Sequence, residues 1–411
     1  MEFDRIEIAA CASQREVSPH APNADGGRPT PTAGSRTQKP KVIDVFAGVG
    51  GLSLGAMRAG FALALAVEND PHASKAHQVN FPKVRHSEVD VSTLDGAALL
   101  AAAGLEAGAL DGLIGGPPCQ GFSVIGNRRA ADPRNNLFRK FHELVAQCRP
   151  KFFVAENVLG ILDTQYEEIR EQAFALVRGD YVLLPPMRFK ASAYGAPTSR
   201  ERVFFVGYRA DALRPLTVAD FETRKVKTPT FVRDALDGLP AVRSNWLEES
   251  QGWRCVKPLP KTDYGKRTSE CIPPGMGDPE SLRRYRDYGE VSGCLGTVHT
   301  DKVRDRYDAM KPGGKDTTSK AVRLKPDGFC PTLRAGTAAD KGSYQAVRPI
   351  HPTMPRVITP REAARLQGFP DWFRFAPSKW HSFRQIGNSV SPFVAEAVLS
   401  VIFSSLRGCP H

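Results

Sequence analysis

Between residues 41 and 155, short apolar runs rich in β-branched residues alternate with helix-compatible segments, and few folds accommodate that order. The runs 41–47, 62–67, 84–89, 110–115 and 151–155 predict strands. Segments 52–59, 72–80, 96–103 and 137–148 predict the helices between them. Runs that are apolar throughout, with no in–out alternation, belong to strands covered on both faces. The expected fold is therefore α/β, with a doubly wound, parallel-rich mixed sheet. Residues 181–189 and 202–208 predict two further strands, joined by a polar loop into an antiparallel edge hairpin.

Elsewhere the texture changes. Residues 1–40 are rich in Pro, Ser, Thr, Gly and Ala and have no apolar period. They cannot bury enough surface to offset the entropy of ordering, so a disordered tail is expected. From about 213 to 350 the alternation is lost among Pro, Gly, Lys and Arg. A structureless loop of that length inside a compact domain is improbable, so this stretch reads as a second, loop-rich domain. A helix returns at 359–368, and 386–406 reads as one apolar helix in need of a core. The expected division is a tail of 1–40, a first domain of 41–214 completed by 380–411, and a second domain of 215–379.

The formal net charge of +12 favours a polyanionic partner. Eight scattered cysteines, none spaced as a zinc knuckle or redox pair, predict reduced thiols in the cytoplasm and no metal site. No run approaches the ~18 apolar residues of a membrane span, so no membrane partner is expected.

After the first strand the chain reads Asp44-Val45-Phe46-Ala47-Gly48-Val49-Gly50-Gly51-Leu52-Ser53. Glycines there let backbone N–H groups and a helix start approach a ligand. A dinucleotide fingerprint needs glycine where Ser53 stands, so NAD is disfavoured against another adenosine ligand. Glu68, 20 residues beyond Gly48, ends the second strand within reach of a ribose diol. Asp90 follows the third strand and can meet an adenine amino group. Several acids and no phosphate-binding lysine suit S-adenosylmethionine (SAM), a cation without a phosphate.

The fourth strand runs into Gly115-Gly116-Pro117-Pro118-Cys119-Gln120-Gly121-Phe122-Ser123. Ligands in such sheets bind beyond the carboxyl ends of the strands, so this stiff loop holds Cys119 beside the cofactor turn. The Pro-Cys-Gln loop resembles the catalytic motif of DNA cytosine-5 methyltransferases. Five further segments resemble that family's motifs in order: Phe46–Gly51, Glu156-Asn157-Val158, Tyr194-Gly195-Ala196-Pro197 with Arg200-Glu201-Arg202, the stretch around Thr359–Pro370, and Gln385-Ile386-Gly387-Asn388-Ser389-Val390. Two positions depart from the pattern: Thr198 replaces a usual Gln, and Ser391 a usual Pro.

The resemblance implies a Rossmann-like SAM-dependent methyltransferase domain with a smaller, loop-rich target recognition domain. It implies Cys119, Glu156, Arg200 and Arg202 as catalytic residues. It implies a SAM site formed by Phe46, Gly48, Gly50, Gly51, Leu52, Glu68, Asn69, Asp90, Val91, Pro118, Asn388, Ser389 and Val390. Gln120, Ser123, Thr332, Leu333 and Arg334 are expected to contact DNA, with Arg283, Arg284, Arg286, Lys311 and Lys315 as candidates for phosphate contacts. Carbon 5 of cytosine is a poor nucleophile; adding a thiolate at carbon 6 makes it reactive, which is the task assigned to Cys119. Glu156 would neutralise charge developing on ring nitrogen 3 and needs a raised pKa for it. None of these groups reaches the base in a stacked duplex, so it must be flipped out, with 120–129 as a closing loop. Double-stranded DNA is the expected substrate, a restriction endonuclease a functional partner, and a monomer the expected state. An RNA methyltransferase on the same fold remains a rival, though such relatives usually carry a shorter variable region. A catalytically dead DNA-binding homologue is disfavoured by intact Cys119 and Glu156.

Overall fold

The computed structural model describes residues 39–118, 136–242, 252–335 and 347–407. Nearly all of the 1–40 tail, Cys119, Gln120, Ser123 and the rest of the 120–129 loop lie outside these residues.

The alternating block folds as β1 (Lys41–Val45), α1 (Gly51–Ala59), β2 (Ala62–Val67), α2 (Pro71–Asn80), β3 (Arg85–Ser87), α3 (Gly96–Ala103), β4 (Gly112–Gly115), α4 (Asn136–Cys148) and β5 (Phe152–Asn157). After α5 (Glu167–Ala175) come β6 (Val182–Leu183), β7 (Met187–Lys190) and β8 (Glu201–Tyr208). The sheet order is β3-β2-β1-β4-β5-β8-β6, with β7 also on β8. Strands β1 to β5 pair in parallel, and β8 runs antiparallel to β5, β6 and β7. The predicted hairpin is present as an edge addition to a parallel sheet. Chain direction across the sheet reverses at β1, whose neighbours are β2 and β4, and that reversal opens a crevice at the strands' carboxyl ends.

Helices cover both faces because successive residues of each buried strand point to opposite sides. Val42, Ile114, Phe152 and Val154 pack with Leu54 and Ala56 of α1. Ile43, Val45, Leu113, Phe153 and Ala155 pack with Leu99 of α3 and with Phe138, Phe141 and Leu144 of α4.

The carboxyl end of the chain corrects one expectation. Residues 386–406 are two helices, α12 (Lys379–Asn388) and α13 (Pro392–Ser405), with Ser389 and Ser391 extended between them. Pro392 has no N–H to donate and forces the preceding residue out of helical conformation, so one helix cannot run through. α13 returns to α1 as expected, and so closely that a Cβ on Gly55 would lie 2.3 Å from the Cβ of Ala395. A second correction concerns membrane spans: residues 379–405 include a stretch long and apolar enough for one, but 72% of it is buried in the fold. Its apolar surface is spent on the core.

The region after β8 carries short helices α6 (Val218–Glu222), α7 (Val232–Leu236), α8 (Asp263–Ser269), α9 (Pro279–Arg283) and α10 (Asp301–Asp308), and a ribbon of β9 (Arg254–Cys255) with β10 (Glu290–Val291). Two small clusters are its own, around Val291 and around Ile350. Its main apolar contacts join the core on the α1 and α13 face of the sheet, through Phe221, Tyr264, Leu324 and Ile358. Buried arginines join apolar packing at its centre. In α11 (Pro360–Gln367), Arg361 and Arg365 are fully buried. Arg361 donates to the carbonyls of Ser292, Pro370 and Phe373. Arg365 forks onto Asp371 at 2.8 Å twice and donates to the carbonyls of Ala235 and Asp237. Arg356 grips Glu362 in the same way, at 2.9 and 2.7 Å. One helix thus collects three separate loops by satisfying their carbonyls.

Removing one partner of such a pair strands a buried charge. Asp371→Ala is expected to lower unfolding stability by about 3–5 kcal/mol, and Arg365→Met with Asp371→Leu to recover much of that loss. Urea denaturation of the single and double variants checks this, and equal losses in both would contradict it.

Candidate active site

β1 ends in a turn whose backbone is unusual before any ligand is considered. Phe46 has φ +60°, Gly48 +56° and Gly50 +100°. A positive φ at a bulky residue such as Phe46 is costly and persists only where neighbours impose it. Here the neighbour is Glu68, whose carboxylate accepts from the N–H of Gly48 at 2.8 Å and of Asp70 at 2.8 Å. Burial pushes the Glu68 pKa up, against the lowering effect of these N–H groups. A Cβ on Gly51 would lie 2.2 Å from Ser389 Oγ and 2.3 Å from the Val390 carbonyl oxygen, so the break between α12 and α13 closes directly on this turn. Gln367 holds the break by donating to the Ser389 carbonyl at 2.9 Å. Asp90 accepts from Ser92 N–H at 2.8 Å and caps a short 3-10 turn that begins with buried Val91. Leu52 is buried at the start of α1, and Asn69 follows Glu68 at the end of β2. Phe46, Gly48, Gly50, Gly51, Glu68, Ser389 and Val390 thus share one turn. No cation faces Glu68 among the described residues, which suits a cationic, phosphate-free adenosine ligand.

Sequence reasoning missed what lies beneath the turn. Asp44, fully buried in β1, accepts from Ser53 Oγ at 2.6 Å. Ser53 Oγ lies 3.0 Å from His77 Nε2, and His77 Nδ1 lies 2.8 Å from His86 Nε2. Burial pushes Asp44 up to about 7, relieved by the Ser53 hydroxyl and reinforced by Glu68. Burial and the neighbouring His86 hold His77 neutral, well below the usual imidazole value. Only the departure from the dinucleotide fingerprint at Ser53 hinted at this string, because Asp44, Ser53, His77 and His86 come from four elements.

The second half of the site lies at the ends of β4 and β5. Glu156, 8% exposed near the tip of β5, has Arg202 Nε 3.0 Å from Oε1. This ion pair is the contact that Oε1 makes among the described residues. Burial raises the Glu156 pKa, while the guanidinium groups of Arg202 and Arg200 pull it back. Across from it, a Cβ on Gly116 would lie 3.2 Å from Glu156 Oε2. Asn157 donates to the Pro117 carbonyl at 3.3 Å. The loop that leads through Pro118 to Cys119 therefore starts against Glu156; Cys119 itself lies outside the described residues.

The two arginines differ in their engagements. Arg202 sits by Glu156, whereas Arg200 is 2% exposed and donates to the carbonyls of Leu333, Gly387 and Asn388. Arg200 thereby brings the loop of Thr332, Leu333 and Arg334 against the 385–390 segment. Leu333 is buried and Arg334 exposed. Thr198 supports the same loop, since its hydroxyl donates to the Cys330 carbonyl at 3.0 Å. Of the phosphate candidates, Arg284 is held by Glu280 and Glu290 at 3.2 and 3.1 Å, whereas Lys311 and Lys315 are exposed.

Comparison with known proteins gives this geometry a family. A family model for C-5 cytosine-specific DNA methylases matches residues 40–404. The type II methyltransferase M.XorII of Xanthomonas oryzae pv. oryzae is 41% identical over 382 residues, covering 91% of this chain and 87% of that protein. M.DdeI of Desulfomicrobium norvegicum is 34% identical, covering 87% of each chain. A crystal structure of a prophage-encoded DNA modification methyltransferase of E. coli superimposes with a TM-score of 0.80 at 47% identity, covering 89% of this chain and 99% of that one. The S. pombe Dnmt2 methyltransferase, at 17% identity and a TM-score of 0.58, shares the fold. The chain belongs to the C-5 cytosine-specific DNA methylase family.

Proposed function

We propose that the chain transfers a methyl group from SAM to carbon 5 of a flipped-out cytosine within a specific duplex sequence, through a covalent adduct at Cys119. The observation that carries this reading is Glu156: a buried carboxyl with a raised pKa, ion-paired to Arg202 and set beside the start of the Cys119 loop. The reading extends to a restriction-modification role with an endonuclease acting on the same sequence, a monomeric enzyme and a cytoplasmic setting.

When bound, SAM supplies the electrophilic methyl group. Glu68 and Asp90 would hold the ribose and adenine, with Phe46, Asn69, Val91 and Pro118 around them. Gly48, Gly50 and Gly51 would present backbone to the amino-acid end, closed over by Asn388, Ser389 and Val390. The Cys119 thiolate adds to carbon 6 of the cytosine, and the electron pair released from the 5,6 double bond becomes available at carbon 5. Glu156, whose pKa burial raises against the pull of Arg202 and Arg200, would donate a hydrogen bond to ring nitrogen 3 and offset charge that builds there. Arg202 steadies the Glu156 carboxyl from its other side. After methylation, loss of the carbon 5 proton restores the double bond and expels Cys119. Arg200, bonded to carbonyls of two loops, would act by holding the base-reading and cofactor segments together.

Cys119→Ala is expected to abolish methyl transfer to duplex DNA while SAM binding persists; undiminished turnover in a labelled-SAM assay would refute the mechanism. A duplex carrying 5-fluorocytosine at the target should be trapped by the wild type in the presence of SAM and not by this variant.

Glu156→Gln is expected to lower kcat by about 10²–10⁴ with the fold intact. Its stability should also separate from wild type with pH. A carboxyl whose native pKa is raised stabilises the fold fully only below its usual value of 4.5, and that contribution is lost as pH rises through the raised value. The melting temperature of the variant relative to wild type should therefore climb above pH 4.5 and then level. A flat difference would mean that Glu156 is not destabilised by burial.

A further inference from the structure

Four interior guanidinium groups of this chain are well partnered. Arg356 and Arg365 each hold a carboxylate in a two-pronged grip. Arg361 and Arg323 each reach at least three backbone carbonyls. The reason is physical: a guanidinium drawn out of water must replace the hydration of five N–H groups.

Arg348 breaks this pattern. It is half-buried, and burial alone pushes its pKa down to about 10, with no carboxylate facing it among the described residues. Its guanidinium lies over the Phe383 ring at 4.2 Å and donates to one carbonyl, that of Arg334, at 3.0 Å. The planar group is fixed in direction by the ring and that carbonyl, and among the described residues it has no other hydrogen-bond acceptor. Such a cation is partly desolvated in advance and fits an anion with two oxygens in one plane.

Its surroundings say which anion. Arg334 ends the Thr332–Leu333–Arg334 loop, and Phe383 belongs to α12, which leads into the 385–390 segment. The two elements meet tightly here, since a Cβ on Gly387 would lie 2.5 Å from Ala335 N. Arg334 is exposed beside it, so two cations flank the edge of the proposed DNA-reading loop.

We propose that Arg348 seats a backbone phosphate of the bound duplex and so fixes the register of the base-reading loop against the cofactor-closing segment. This rests on duplex DNA being the substrate.

The test is duplex binding by fluorescence anisotropy across a salt series, with the full chain and two variants. The duplexes are an unrelated sequence and the methylated site, identified by bisulfite sequencing of DNA from an expressing host. Arg348→Gln should weaken both duplexes by a similar factor, about tenfold. Its plot of log K against log salt should be shallower by about 0.9, as for one lost phosphate contact. Arg348→Lys keeps the charge and should keep the wild-type slope, with a smaller loss from the missing fork. An unchanged slope in Arg348→Gln with loss confined to substitutions at one base pair would make Arg348 a base reader and overturn the proposal. Unchanged affinity with a lowered melting temperature would overturn it in favour of a packing role. If Arg348→Gln fails to fold, a wild-type slope with a small affinity loss in Arg348→Lys supports the phosphate seat only where Arg348→Met, folded by the apolar face of Phe383, shows the shallower slope; a wild-type slope in Arg348→Met overturns it. Failure of wild type itself to bind or methylate any duplex would instead defeat the underlying reading.

Discussion

Gly51 is where the two ends of the chain meet. The space that its side chain would occupy is filled by Ser389 Oγ and the Val390 carbonyl, and the same intimacy repeats one turn later between Gly55 and Ala395. The turn after β1 is therefore covered by the carboxyl-terminal segment while its own hydrogen bonds come from the amino-terminal half. The turn's left-handed residues, the carboxylate of Glu68 that straps Gly48, and the break before Pro392 are parts of one contact. Packing at this density transmits displacement instead of absorbing it. α12, which leads into the segment packed on Gly51, is also the helix on which Arg348 leans.

The loop-rich region is fixed by a different kind of force. It buries guanidinium groups at its centre, which is expensive unless every donor is met. Arg356, Arg361 and Arg365 meet that condition by collecting carbonyls and carboxylates from loops far apart in sequence. Such a centre tolerates irregular backbone around it, because directional bonds specify the loops one by one. Arg200 does the same work at the junction, joining the Leu333 loop to Gly387 and Asn388. The pair of arginines before and within β8 is thus divided between architecture and the Glu156 carboxyl.

Glu156 gathers opposing influences in one group. Burial favours its neutral form, and two cations favour the charged one, with burial the larger. That balance makes the carboxyl easier to protonate than an ordinary surface acid, even beside Arg202, which suits the role proposed for it.

The order of strands and helices from 41 to 157, the edge hairpin, and the turns that hold Phe46, Glu68 and Glu156 were legible in the residues themselves. Apolar runs, glycines and strand ends are local signals, and a parallel sheet obeys them. The Pro392 break was legible too, had the proline been weighed above the apolar run around it. Other features had no local signature. That Asp44, Ser53, His77 and His86 form one buried string, that Thr198 supports the Cys330 loop, and that Arg348 lies over Phe383 beside the Arg334 carbonyl were decided only when distant segments packed. Residue type sets what a side chain can bond, but burial and the groups brought alongside set its charge and its free valences, and those belong to the folded chain alone.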